Sequence, residues 1–237
     1  MKLSVLMPVY NEAATLASAV DRVLDVAYPC DMELVLVDDG STDGTNKIID
    51  GLADRSNRIV SARHHVNRGK GAAVRTAAGL ASGDYVIVCD ADLEYAPSDI
   101  PALLHPVVHG EAQVVFGTRT FGSHTAYSFW YVVGNWAVTM AANVLYNAWL
   151  SDLETCYKLM PLALYRALDL REEGFGVEPE ITAKLLRRHI RPYEVPISYR
   201  ARGREEGKKL TWRDGVQALW ILTRIRMAPN RLFSNDA

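Results

Sequence analysis

The regular alternation of short apolar runs with helix-like patterns is the feature of this sequence that most constrains its fold. In the first two fifths of the chain, each β-branched apolar run is followed by a stretch with the spacing of an amphipathic helix. The alternating stretches are residues 3–9, 12–26, 33–38, 43–53, 58–63, 69–80 and 85–90. Strands that are apolar along their whole length are typical of a parallel sheet covered by helices on both faces. The pattern therefore predicts an α/β fold on a mainly parallel sheet, with a Rossmann-like N-terminal half.

Composition narrows the class of protein. The chain has 237 residues, 49% of them hydrophobic, which is enough for one large α/β domain. A net charge of -2, from 26 basic and 28 acidic residues, favours neither a disordered chain nor a nucleic-acid partner. Cys30, Cys89 and Cys156 lack the spacing of a disulfide framework or a zinc site, and the first residues lack the apolar segment of a secretory signal. We therefore expect a cytoplasmic protein.

Polar residues collect where the strand-like runs end. Ligands of parallel α/β sheets bind at the carboxyl ends of the strands, so these side chains are candidates for one site. They fall in PVYNE at 8–12, DDGS at 38–41 and DAD at 90–92. The carboxylates of Asp90 and Asp92 are hard oxygen ligands of the kind that Mg²⁺ or Mn²⁺ prefers. Two interpretations without a ligand also remain: the acid pair lies in a solvated loop, and the polar residues near Ser41 only cap a helix.

A glycine-rich stretch opens the third helical pattern. In NRGKG at 67–71, backbone N–H groups and the Lys70 ammonium could meet a phosphate at a helix N-terminus. The spacing does not match a P-loop. The alternative interpretation is a helix start whose glycines allow tight packing.

The second half continues the mixed pattern and is more basic. Strand character is predicted for 112–117 and 153–160, helices for 161–170, 179–189 and 211–227, and an extended edge element for 191–200. Between positions 187 and 226 there are eleven Lys and Arg residues against four Asp and Glu residues. Part of this excess lies in 204–209, which we expect to be a mobile charged loop.

A segment without charge, residues 126–150, allows three interpretations. Its 25 positions are long enough to cross a bilayer, yet Asn135, Thr139, Asn143 and Asn147 recur at every fourth position and form a polar stripe on a helix. The segment is a helix packed on the domain core, a helix docked in the membrane interface, or a membrane span that buries its polar stripe against a partner.

Taken together, these motifs resemble glycosyltransferase family 2, whose members have the GT-A fold of nucleotide-diphospho-sugar transferases. The motifs are PVYNE at 8–12, VDDGSTDGT at 37–45, NRGKGAA at 67–73, DADLEYAP at 90–97, GTR at 117–119, DLETCYKLM at 152–160, FGVEPEITAKL at 175–185 and the stretch 195–219. Within the family, their layout is most similar to the dolichyl- or polyprenyl-phosphate sugar synthases. The resemblance implies a single GT-A domain over 1–237, with a nucleotide-sugar half (1–119) and an acceptor half (120–237).

The resemblance also implies roles for particular residues. A metal ion would be held by Asp90, Asp92 and Glu94, the last at a position where many relatives carry Gln. Arg119 would approach a donor or acceptor phosphate, while Lys70 would contact the donor or support the pocket. The expected donor-binding residues are Pro8, Tyr10, Asn11, Glu12, Asp38, Asp39, Lys70, Gly71, Asp90 and Ala91.

The acceptor side leaves two possibilities open. A hydroxyl acceptor needs a general base, for which Asp152, Glu154 and Glu178 are the candidates. A lipid phosphate is already mostly dianionic at neutral pH and needs none. A basic cluster would bind such a phosphate, unless it is only an exposed charged loop; its members are Arg200, Arg202, Arg204, Lys208 and Lys209.

We therefore expect a metal-dependent, inverting glycosyltransferase that moves a sugar from a UDP- or GDP-linked donor to a polyprenyl phosphate, with peripheral contact at the inner face of the membrane. One alternative is transfer to a soluble hydroxyl acceptor. The other is an inactive nucleotide-sugar binding module.

Overall fold

A computed structural model describes residues 1–125, 128–201 and 211–229. Seven strands form one sheet in the order β3-β2-β1-β4-β6-β5-β7. The β1–β2, β1–β4, β2–β3 and β5–β7 pairs are parallel, whereas β6 is antiparallel to both of its neighbours. The predicted mainly parallel α/β fold is confirmed.

The strands are β1 (Lys2–Val9), β2 (Asp31–Asp38), β3 (Ile59–Arg63), β4 (Tyr85–Val88), β5 (Val115–Thr118), β6 (Lys158–Pro161) and β7 (Tyr193–Pro196). The helices are α1 (Leu16–Leu24), α2 (Thr45–Ala53), α3 (Lys70–Leu80), α4 (Ile100–Val108), α5 (Phe129–Tyr146), α6 (Leu162–Ala167), α7 (Val177–Arg187) and α8 (Trp212–Met227), with a 3₁₀ turn over Pro97–Asp99.

The core lies on both faces of the sheet because successive residues of a strand point to opposite sides. In β1, Val5 and Met7 pack in a cluster with α1, while Leu6 between them packs in a second cluster with α3. All three side chains are fully buried. This two-sided burial explains why most residues of β1 and β2 are apolar; the buried exceptions, Ser4 and Glu33, hydrogen-bond to each other.

The chain differs from the predicted pattern at two places. Residues 153–160 form a strand only from Lys158 onward, because the buried Lys158 ammonium donates to the carbonyl oxygens of Leu153 and Thr155 and holds the preceding residues in a loop. Helix α4 was not predicted. Pro101 and Pro106 obscure its pattern, since proline is tolerated in the first turn of a helix but is unfavourable further along.

The uncharged segment forms α5, which packs on the domain through its polar stripe. Asn143 exchanges hydrogen bonds with the backbone of Leu150 at 2.8 and 2.9 Å, and Thr139 accepts one from the Leu153 amide at 3.1 Å. In the parts of the chain that the structure describes, no helix combines the length and the apolar character needed to span a membrane. Asn135, Thr139 and Asn143 thus face the protein, whereas Asn147, the fourth residue of the predicted stripe, lies directly after α5 and is exposed.

Candidate functional site

A cavity of about 340 Å³ opens at the carboxyl ends of β1, β2 and β4. This is where a parallel α/β sheet binds its ligands, and the volume lies in the range of small-molecule sites. Eleven residues predicted from the sequence line it: Pro8, Tyr10, Glu12, Asp39, Lys70, Asp90, Asp92, Glu94, Arg119, Glu154 and Glu178.

Asp39 organises the glycine-rich loop at one wall of the cavity. Its carboxylate accepts hydrogen bonds from the backbone amides of Arg68 at 3.0 Å and Gly69 at 2.7 Å, and it lies 2.6 Å from Nδ1 of His64. The other ring nitrogen of His64 is 2.9 Å from the Thr76 hydroxyl on α3. The His64 ring therefore links Asp39 to the middle of α3, while the Asp39 bond to the Gly69 amide holds the start of that helix.

The two glycines of this loop allow a close approach between two segments. Gly69 has a φ of 93°, and a Cβ added there would lie 2.3 Å from the Glu173 carbonyl oxygen. A Cβ at Gly71 would lie 2.2 Å from the Glu172 carbonyl oxygen. The carboxylate of Glu180 fixes the facing segment by accepting from the amides of Arg171 and Glu172. Gly71 therefore contributes through packing, and α7 is brought against the start of α3.

That packing places Lys70 between two carboxylates. Its ammonium lies 2.8 Å from Asp90 Oδ2, 2.8 Å from Glu178 Oε1 and 3.1 Å from Cys156 Sγ. Burial alone would lower the pKa of Lys70, but the facing Asp90, Cys156 and Glu178 outweigh it and hold the pKa well above its ordinary value. Lys70 is therefore a fixed cation in the cavity wall.

The loop after β4 carries the acid pair. Asp92 accepts the Glu94 amide at 3.0 Å, and Glu94 in turn accepts the Tyr199 hydroxyl at 2.5 Å. The Arg200 amide donates to the Glu94 carbonyl at 2.8 Å. The extended segment after β7 is thereby held against the loop that contains the acids.

The acid pair suits a divalent ion that is held partly by its substrate. Within 1–125, 128–201 and 211–229 there is no group of three or more His, Cys, Asp or Glu side chains arranged to hold a metal. A magnesium-type ion usually takes only one or two protein carboxylates together with phosphate oxygens. Asp90 and Asp92 lie on one cavity wall and provide this donor set. The residues present therefore fit such an ion.

Arg119 and Asp152 form a buried two-point ion pair. The guanidinium donates to the two carboxylate oxygens at 2.7 Å each, the Arg119 amide adds a bond of 3.1 Å, and Asn135 of α5 adds one of 3.0 Å. Burial would raise the pKa of Asp152, but the Arg119 guanidinium holds it below its ordinary value. Asp152 does not line the cavity, so it acts by orienting Arg119, which does.

Glu154 is the third carboxylate near this end of the cavity. Burial, together with the nearby Glu178 carboxylate, raises the pKa of Glu154 to about 7. A carboxylate with such a pKa exchanges protons near neutral pH, which is what a general base or acid requires.

Several predicted residues lie beside the cavity without lining it. Asn11 accepts the Thr42 amide at 2.8 Å and so ties the loops after β1 and β2 together, whereas Asp38 accepts the Ser41 amide at 2.8 Å within the turn after β2. Ala91 is buried and Arg200 is exposed. The remaining residues of the predicted basic cluster, Arg202, Arg204, Lys208 and Lys209, lie outside the described residues.

The residues that line the cavity and were not predicted as site residues include Tyr95, Cys156, Phe175 and Tyr199. The Tyr95 and Tyr199 rings meet edge to face at 5.3 Å, and the Arg119 guanidinium lies 5.0 Å from the Tyr199 ring centre. All four fall inside quoted motifs, which was the available signal. Tyr199 is brought to the cavity by its backbone bridge to Tyr95, which the sequence does not reveal.

Comparison with known proteins identifies related glycosyltransferases. The family model described as "Glycosyl transferase family 2" matches residues 4–159. The glycosyltransferase AglJ of Haloferax volcanii is 28% identical over 199 residues, covering 82% of this chain and 62% of that protein. The undecaprenyl-phosphate 4-deoxy-4-formamido-L-arabinose transferase of Aeromonas hydrophila is 38% identical over 114 residues, covering 46% of this chain and 34% of that protein. This chain thus spans about a third to three fifths of the length of these relatives.

Among solved structures, glucosyl-3-phosphoglycerate synthase of Mycobacterium tuberculosis, in complex with Mn²⁺, UDP and glucosyl-3-phosphoglycerate, superposes with a TM-score of 0.68. It is 24% identical, and the match covers 96% of this chain and 81% of that one. The likeness confirms the predicted GT-A fold. The family match over 4–159, on a chain with this fold and with acids at these strand ends, makes the chain a member of glycosyltransferase family 2.

Proposed function

We propose that this chain is an inverting glycosyltransferase that moves a sugar from a UDP- or GDP-linked donor to a polyprenyl phosphate by a single in-line displacement. The observation that carries the proposal is the convergence of strand-end acids and two fixed cations, Lys70 and Arg119, on one cavity. A nucleotide diphosphate leaving group develops negative charge, which cations fixed at that place stabilise.

The donor would lie along the loops after β1, β2 and β4. Pro8, Tyr10 and Glu12 line the end of the cavity suited to the base and ribose, next to Asp39. Asp90 and Asp92 would hold Mg²⁺ or Mn²⁺ against the diphosphate. That ion would supply Lewis-acid neutralisation of the leaving group.

The state of the carboxylates supports a phosphate acceptor. Asp152 is held by Arg119 and Glu178 by Lys70, so two of the three candidate bases are already committed to ion pairs. A lipid phosphate needs no base, and the Arg119 guanidinium faces the cavity where such an anion would enter. The name of the relative from Aeromonas hydrophila, a transferase acting with undecaprenyl phosphate, supports the same class of acceptor.

Transfer to a soluble hydroxyl is the second candidate, and Glu154 favours it. This carboxylate lines the cavity and has a pKa of about 7, which suits a base working at neutral pH. The two candidates therefore differ in whether Glu154 takes a proton from the acceptor.

The test is a transfer assay with radiolabelled UDP- and GDP-sugars, Mn²⁺ and either undecaprenyl phosphate or a panel of soluble sugars. We expect label in the lipid fraction and only a small loss of kcat in Glu154→Gln. A loss of roughly 100-fold or more in that variant would support the hydroxyl acceptor instead. Glu111→Gln, on an exposed loop away from the cavity, is the matched control. Label in neither fraction with any donor would contradict the proposal.

A further inference from the structure

The Asp39 carboxylate is held by three donors of the protein. Its Oδ1 lies 2.6 Å from Nδ1 of His64 and accepts the Arg68 amide at 3.0 Å, while Oδ2 accepts the Gly69 amide at 2.7 Å. A carboxylate offers about four acceptor positions, two on each oxygen. Among the described residues, these donors fill both positions on Oδ1 and one on Oδ2. One acceptor position therefore remains, on Oδ2, in a side chain that lines the cavity.

His64 is fixed through its backbone and through both ring nitrogens. Its amide donates to the Asp38 carbonyl at 2.8 Å, at the end of the pairing between β2 and β3. A carboxylate has no proton to donate, so Nδ1 carries the proton in the contact with Asp39. Nε2 meets the Thr76 hydroxyl of α3 at 2.9 Å, and a hydroxyl can donate or accept. Because the His64 side chain is also buried, its ring is held in one orientation, with Nδ1 on Oδ1 of Asp39.

The position of Asp39 in the sheet suits a nucleobase. Asp39 follows β2 and the acid pair follows β4, and β1 lies between these two strands. Neighbouring strands are about 4.8 Å apart, so Asp39 and the acid pair are separated by roughly 10 Å along the cavity. This separation is comparable with the length of a nucleoside between the edge of its base and its diphosphate. With the diphosphate at the acid pair, the base lies against Asp39.

A single acceptor position suits uracil better than guanine. The pairing edge of uracil offers one N–H, at N3, whereas that of guanine offers two adjacent N–H donors, at N1 and N2. Two adjacent donors need an acceptor on each carboxylate oxygen, and Oδ1 of Asp39 is filled by His64 and Arg68. An N–H that enters a cavity without finding an acceptor loses its bond to water and gains none in return. Guanine is therefore the poorer ligand as long as His64 occupies Oδ1.

We infer that His64 determines which nucleobase this protein binds, and that the donor is a uridine diphosphate sugar and not a guanosine diphosphate sugar. His64 does not line the cavity, so it is a positioning residue that acts through Asp39. The inference rests on the proposed function, since it takes the cavity to be the donor site.

The test is isothermal titration calorimetry of the full chain with Mn²⁺ and three ligands: UDP, GDP and 3-methyl-UDP, in which a methyl group replaces the N3 hydrogen. We expect the wild type to bind UDP at least about tenfold more tightly than either of the other two. His64→Leu empties a position on Oδ1, so UDP should bind more weakly and the ratio of UDP to GDP affinity should fall towards one. His64→Asn can donate an amide N–H to Oδ1 and should keep most of the ratio. His65→Leu changes the exposed neighbouring histidine and is the matched control.

Thr76→Val provides a milder second variant. It keeps the contact between His64 and Asp39 but removes the partner of Nε2, so the same ratio should fall by a smaller factor. The inference is overturned by a wild type that binds GDP or 3-methyl-UDP as tightly as UDP. An unchanged ratio in His64→Leu, or in Thr76→Val where His64→Leu does not fold, overturns it as well. These results would leave the proposed transfer reaction in place, whereas a wild type that binds neither UDP nor GDP would contradict the proposed donor cavity and the inference with it.

Discussion

Replacing Gly71 by alanine should destabilise the protein, although alanine is the better helix former. The added Cβ would lie 2.2 Å from the Glu172 carbonyl oxygen, 3.1 Å from its carbonyl carbon and 3.2 Å from that of Glu173. All three atoms belong to backbone, so a segment of chain must move. Overpacking of this kind typically costs about 1–3 kcal/mol, against a gain in helix propensity of at most about 1 kcal/mol. We expect a net loss of about 1–2 kcal/mol.

Gly79 offers a matched control in the same helix. A Cβ at Gly79 meets no atom within 4 Å, so Gly79→Ala should stabilise α3 by about 0.5–1 kcal/mol. The assay is thermal unfolding followed by circular dichroism, in which each kcal/mol shifts Tm by roughly 2–4 °C for a chain of this size. The variants should therefore move Tm in opposite directions from wild type.

Gly71→Ala should also weaken nucleotide binding to the cavity, whereas Gly79→Ala should leave it unchanged. Displacing the 172–173 segment moves the start of α7, and with it Glu178, away from Lys70. A Tm of Gly71→Ala at or above that of wild type would contradict the close packing of Gly71 against residues 172–173. A variant that is destabilised yet binds nucleotide as tightly as wild type would refute the link between this packing and the cavity.

Three further tests concern ionisable side chains inside the protein. Arg119→Met leaves the Asp152 carboxylate without its ion pair and should cost about 3–5 kcal/mol in urea unfolding; adding Asp152→Leu should restore at least half of this, and no recovery would contradict the pairing. Because the folded-state pKa of Glu154 is about 7, above its ordinary value of 4.5, the protein loses stability as pH rises from that ordinary value to about 7 and loses no more above it. Glu154→Gln should therefore gain stability relative to wild type over this range and keep the gain at higher pH, and a difference that stays constant throughout would count against the raised pKa. Lys158→Met leaves the Leu153 and Thr155 carbonyls without their donor and should cost about 1–3 kcal/mol, measured in the same way, whereas unchanged stability would exclude that anchoring role.

The N-terminal strands and the place of the site were predictable because each depends on local sequence. Burial on both faces of β1 and β2 favours apolar residues, with the paired Ser4 and Glu33 as buried exceptions, and the polar residues that follow each strand then lie at the ligand-binding edge. That rule predicted the place of Asp39, Asp90 and Asp92 at this edge of the sheet.

The remaining features depend on contacts between distant segments. Lys70 was predicted either to contact the donor or to support the pocket, and its position between Asp90 and Glu178 depends on Gly71, which lets the segment before α7 approach. The period of α5 predicted a polar stripe but not that its residues within the helix face inward. The orientation was decided by partners such as Asp152, Leu150 and Leu153, whose positions the sequence does not give.

The central claim is that the cavity binds a nucleoside diphosphate together with a divalent ion held at the acid pair. Isothermal titration calorimetry of UDP and GDP, with and without Mn²⁺, tests it on wild type, Asp92→Asn and the control Asp31→Asn, whose exposed carboxylate lies at the opposite end of β2. We predict Mn²⁺-dependent binding of at least one nucleotide to wild type and to Asp31→Asn, and binding at least about tenfold weaker to Asp92→Asn. Absence of binding to wild type, or equal Mn²⁺-dependent affinity in Asp92→Asn, would contradict the claim.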